Sequence, residues 1–133
     1  MAEDDSQETT PVEFRVYQEA HEESFLWEIL ASGEDHRFGD VLIYQALSRD
    51  DVTPTLLAAL GQGDMSLYIM DFSANESSEY PEIARDEAVR IVQDPTYWDW
   101  KTAPAKVCLR ISDSGEERFR TMEMPEFERR PKL

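Results

Sequence analysis

The chain has one cysteine, three lysines and five glycines in 133 residues, and each shortage removes a class of explanation. A lone Cys108 excludes an intramolecular disulfide framework and points to a reducing, cytoplasmic setting. The glycines form no phosphate-cradling loop, and neither a G-x-S-x-G elbow nor a paired-aspartate motif is present. No apolar run approaches the roughly 20 residues that cross a bilayer, so no membrane role is expected. Met1-Ala-Glu-Asp-Asp has neither the basic start nor the apolar stretch of a secretory leader. His21 beside Glu22 and Glu23, and His36 after Glu34 and Asp35, lack the spacing and the thiolate partner of a zinc site. Surface histidines in an acidic field are expected, with no metal and no cofactor.

Positive charge is the larger deficit. Lys and Arg number 13 against 29 Asp and Glu, a formal net charge of −16. Residues 1–36 hold eleven acids and only Arg15 as a base, whereas residues 118–133 carry five bases and three acids. Three readings account for this. Carboxylates keep a small protein soluble; an acid-rich, lysine-poor surface suits a salty cytoplasm, where self-repulsion is screened within about 3 Å at 1 M salt; or an acidic face docks a basic partner, in the extreme case imitating nucleic acid. Hydrophobic residues at 41% supply a core, so a folded domain is expected.

Residues 1–11 have no large apolar side chain after Met1 and end in proline, as a solvated acidic tail does. Val12, Phe14 and Val16 alternate with Glu13, Arg15 and Tyr17, which predicts a half-buried strand. Residues 24–32 read as a second strand with Phe25, Trp27 and Ile29 on one face, or as a helix stopped by Gly33. Residues 40–47 read as a strand. Asp51 ahead of Pro54, and Gly61 after the last apolar residue, bracket a short helix. Residues 65–72 are nearly continuously apolar, the pattern of a central strand covered on both faces. Ala84, Ala88, Ile91 and Val92 make one helical stripe within 80–93, which Asp94-Pro95 closes or extends by a turn. In residues 105–112, Val107, Leu109 and Ile111 alternate with Lys106, Cys108 and Arg110; a turn at Asp113-Ser114-Gly115 then returns 117–124 as the partner strand of a hairpin. The sum is an α+β fold: a single small domain over 12–126, with a mixed or mostly antiparallel sheet of four to six strands and two or three helices mainly on one face, followed by a polar tail at 127–133.

Three constellations could carry chemistry. The hairpin would set Arg110 opposite Arg118 and Cys108 opposite Arg120, with Lys106 on the same face: a cationic stripe able to fork a phosphate or carboxylate and to activate a thiol. Asp71, Ser73, Asn75 and Glu76 follow a strand end where open α/β sheets place ligand groups, but loop capping is the better explanation of them; Asn75-Glu-Ser77 matches a glycosylation acceptor without a secretory route. Trp27, Tyr97, Trp98 and Trp100 suit either the core or an interface. The leading expectation is a non-enzymatic interaction protein that engages a basic protein surface, as an inhibitor or nucleic-acid mimic that binds no nucleic acid itself. Its contacts would be Glu19, Glu22, Glu23, Glu28, Glu34, Asp35, Trp98 and Trp100. The alternatives are a salt-adapted domain without a dedicated acidic face, and a ligand-binding protein or enzyme using the Cys108, Arg110, Arg118 and Arg120 face.

Overall fold

The computed structural model describes residues 9–38, 40–70, 80–123, 125 and 128–130. Helix α1 (Pro11–His21) occupies the place where alternation suggested a strand. The reason is local: the Thr10 hydroxyl accepts from the Glu13 N–H at 3.1 Å, and Pro11 fills the first helical position, where a missing N–H costs nothing. Over five residues an alternating pattern fits a strand and a wide helical face equally, and Phe14, Val16, Tyr17 and Ala20 are all buried. Residues Leu26–Leu30 form a 3-10 turn rather than a strand, with Leu26 and Ile29 fully buried.

Strand β1 (Gly33–Phe38), unsignalled by any apolar pattern, pairs antiparallel with β2 (Asp40–Tyr44). Helix α2 (Arg49–Gln62) starts one turn before the expected point, capped by Ser48, and runs through Gly61 to Gly63, whose φ of 78° is the left-handed conformation that ends helices. Pro54 therefore lies within the helix, not in its first turn. Strand β3 (Met65–Ile69) pairs antiparallel with β4 (Val107–Ile111), and among the described residues this sheet has two strands, so a wide sheet centred on β3 is not shown. Between them lie α3 (Arg85–Gln93), with Ala88, Ile91 and Val92 buried as its stripe requires, and a 3-10 turn at Pro95–Trp98.

The second arm of the expected hairpin is a helix, α4 (Asp113–Thr121). Ser112 caps it by accepting from Gly115 N–H at 3.1 Å, with Asp113 and Glu116 in the first turn where the helix dipole favours anions. The segment Ser-Asp-Ser-Gly-Glu is thus a helix start, and its resemblance to a tight turn misled the pattern. Strand β5 (Glu128–Arg130), inside the segment expected as a polar tail, pairs with β2 and completes a three-stranded sheet, β1-β2-β5. The architecture is mixed α+β; among the described residues the strands fall into two antiparallel sheets, not one of four to six strands. α1 packs on β4, α2 and α4, and the core joins Val16, Leu26, Ile29, Leu56, Leu67, Val92, Val107 and Leu109, all fully buried.

Candidate functional site

The nominated acids divide by what the fold does with them. Glu19 is nearly buried, its side chain 12% exposed, and pairs with Arg15 at 3.7 Å. Burial raises its carboxyl above the ordinary value, opposed by a Ser24 hydrogen bond and by Arg15, and the charges of Glu22 and Glu28 add to the rise. Glu28 is exposed but accepts the Phe25 N–H at 2.7 Å, capping the 3-10 turn. Glu22 is exposed at the α1 C-cap. Glu23 follows with φ 56°, the only positive φ outside glycine among the described residues.

The hydrogen bonds Glu23 N–H to Ala20 C=O at 3.1 Å and Ser24 N–H to Glu19 C=O at 2.9 Å define the helix-ending loop whose left-handed position is ordinarily glycine. The Glu23 carboxylate is held there by the Tyr68 hydroxyl, which donates to it at 3.0 Å. Glu19 lies within electrostatic reach of Glu22 and Glu28, and Glu23 follows Glu22 at the end of α1. Glu34 is exposed on β1, and the side chain of Asp35 lies outside the described residues. Trp98 is not a surface anchor: it is 5% exposed, and its indole N–H donates to Val92 C=O at 2.8 Å. Trp100 is 63% exposed, with the Lys101 ammonium 5.7 Å from its ring centroid.

The cationic stripe does not form. α4 carries Arg118 to Asp64 and Arg120 to Glu117 at 3.4 Å, while Arg110 stacks on Tyr68, 4.3 Å from the ring centroid. Cys108 pairs with Tyr68 across the β3–β4 ladder and is completely buried. Burial pushes its thiol up to about 11, the Tyr68 hydrogen bond and Arg110 opposing and Glu28 and Glu23 reinforcing the shift. At pH 7.5 the thiolate fraction is then roughly 100-fold below that of an unburied cysteine, before access is considered. Ellman's reagent is expected to leave the native thiol unmodified at pH 7.5 and to titrate it fully in denaturant; rapid native labelling would contradict this environment. The Asp71 loop lies outside the described residues.

The most developed polar cluster was invisible in the sequence. Asp64, 1% exposed at the α2–β3 junction, accepts from Tyr17 hydroxyl at 2.5 Å, from Arg118 Nε at 2.7 Å and from Ser114 hydroxyl at 3.1 Å. Burial alone would raise its pKa, but hydrogen bonds from Tyr17, Arg118 and Ser114 outweigh it and hold the carboxyl below the usual range. Tyr17 is shifted upward, first by burial and then by Asp64. The neighbouring Gly63 carbonyl accepts from Ser112 and Ser114 at 2.7 and 3.2 Å. Each polar atom of the Asp64 side chain is thus consumed in joining α1, α4 and the β3 entrance, which makes the cluster a structural lock. A Gly-Asp pair after a helix reads as a turn, and no one-dimensional signal marks such a carboxylate as buried.

Among the described residues no group of three or more His, Cys, Asp or Glu side chains could hold a metal ion, and no helix is long and apolar enough to cross a membrane. Compared with known protein families, with curated proteins and with solved structures, the chain matches none.

Proposed function

We propose that this is a non-enzymatic interaction protein that presents the exposed carboxylates of Glu22, Glu23 and Glu28, beside the Arg15-paired Glu19, to a basic surface of another macromolecule. The observation that carries the reading is Glu23, a charged residue in a left-handed helix-ending position where glycine costs nothing and another residue costs about 1 kcal/mol. Strain of this kind concentrates where a side chain is required in place. Its neighbours Glu22 and Glu28 are exposed, so their carboxylates meet solvent. Such groups steer encounters with cationic partners, and the attraction weakens with added salt.

The test is capture of a basic partner from native lysate at 0.1 M salt by wild type, Glu22→Lys and Glu23→Gly. Glu23→Gly relieves the backbone strain but loses the Tyr68 hydrogen bond, so it is expected to melt close to wild type while retaining less partner; Glu22→Lys is expected to retain least. A partner held equally by all three, or no basic protein retained, would refute the assignment.

One observation favours a second reading, a salt-adapted domain. Carboxylates also occupy the first turns of α2 (Asp50, Asp51), α3 (Asp86, Glu87) and α4 (Asp113, Glu116), so among the described residues acids are spread over several helices. A thermal midpoint rising steeply toward molar salt, without a captured partner, would select it.

A further inference from the structure

We propose that the stacked rings of Phe25 and Trp27, beside Glu28, form a seat for an arginine side chain of the basic partner, which Lys106 of the protein itself fills in the partner's absence. This rests on the interaction reading above and adds the chemistry of recognition. The two rings lie 4.8 Å apart between centroids and 14° from parallel, and both are half-buried, so the indole keeps an open portion. The Lys106 ammonium already lies over the Trp27 ring, 5.9 Å from its centroid. Close by, the Arg110 guanidinium covers Tyr68, so this part of the molecule holds cations on aromatic faces twice.

Two carboxylates are held by residues that adjoin the ring pair in the fold. Glu28 is tied to the Phe25 N–H and Glu23 to the Tyr68 hydroxyl, while Phe25 bridges to Cys108, whose thiol senses both Glu23 and Glu28. The proposed partner group is one that answers the Trp27 ring and the nearby Glu28 carboxylate at once. A guanidinium answers both, since it stacks on an indole and forks to a carboxylate, whereas an ammonium is a strongly hydrated point charge suited to only one. Lys106 is exposed on a flexible stem, and a partner guanidinium displaces it from the ring.

The test uses the full chain with fluorescent nona-arginine and nona-lysine peptides at 0.1 M salt. Wild type is expected to prefer nona-arginine by roughly fivefold, the size of one cation–π contact. Trp27→Leu is expected to abolish that preference while leaving nona-lysine affinity unchanged, Trp27→Phe to keep part of it, and Lys106→Ala to tighten nona-arginine binding about twofold. Trp27→Phe preserves a ring at the site and so carries the test should the leucine variant fold poorly. A preference that survives both Trp27 variants, or none in wild type with nona-lysine still bound, overturns the seat and leaves the interaction reading standing. Failure of both peptides to bind above a neutral peptide overturns the seat and the interaction reading together.

Discussion

Gly115→Ala is expected to lower the stability of the fold by about 3 kcal/mol or more, a shift of roughly 10 °C in the thermal midpoint. A Cβ on Gly115 would lie 2.0 Å from the Asp64 carbonyl oxygen, 2.9 Å from its carbonyl carbon and 2.7 Å from Ile111 Cγ1. The first two atoms are backbone and cannot rotate away. That same oxygen accepts the Ser112 N–H at 2.9 Å, so moving it breaks the bond that anchors the start of α4. Helix propensity acts in the opposite direction, because alanine is favoured over glycine by about 1 kcal/mol. Gly61 supplies the control: it also lies in a helix, and nothing stands within 4 Å of its added Cβ. Gly61→Ala is expected to raise stability by about 0.5 kcal/mol. Denaturant melts of the two variants should therefore move to opposite sides of wild type; a Gly115→Ala midpoint at or above wild type would show that α4 does not dock as described.

Asp64→Ala is expected to be nearly as damaging, about 3 kcal/mol, because it strands the Tyr17 hydroxyl and the Arg118 guanidinium and leaves a void at the α1–α4 contact. The figure sits at the low end for a buried ion pair, since the Arg118 side chain is 52% exposed and can return to water. Asp64→Asn keeps the shape and an acceptor oxygen, so about half that loss is expected.

The pH dependence separates charge from shape. The Asp64 carboxyl is held below its unfolded value, so its stabilisation is complete above the ordinary carboxylate range and is lost as pH falls through the folded value. Glu19 runs the other way: its folded pKa is raised, so it favours the folded state as pH falls and opposes it once ionised. Acid titration of stability should thus fall less steeply below about pH 4 in Asp64→Asn than in wild type. Parallel acid limbs would mean that the Asp64 carboxylate is not the charge held by Tyr17 and Arg118.

What could be read from the chain, and what could not, follows the range of the forces involved. The α3 stripe Ala88, Ile91 and Val92 was legible because 3.6-residue spacing is a local property, and β4 because Val107, Leu109 and Ile111 alternate over a full strand. α1 and α4 differ from the strands that alternation predicts, although their signals are present: Thr10-Pro11 with Glu13, and Ser112 with Asp113 and Glu116, are capping patterns that outrank a short alternation or a Ser-Gly turn. Losing α4 to a hairpin also produced the arginine stripe, since register follows from the connection. β1 and β5 had no apolar pattern to find, because backbone pairing with β2 makes them strands.

By itself the sequence determined the mixed α+β composition of elements, the acidity concentrated in the first quarter of the chain, and the absence of a disulfide, because these depend only on residue identity and near neighbours. The tertiary structure alone decided that Cys108 is buried, that Trp98 serves the core while Trp100 faces solvent, and that Asp64 rather than any nominated acid forms the strongest polar cluster. It also decided that Glu19 is nearly buried against Arg15 while Glu22 and Glu28 are exposed. Burial, hydrogen-bond partners and field strength are set by groups that approach through space across tens of residues, and no local pattern encodes that distance.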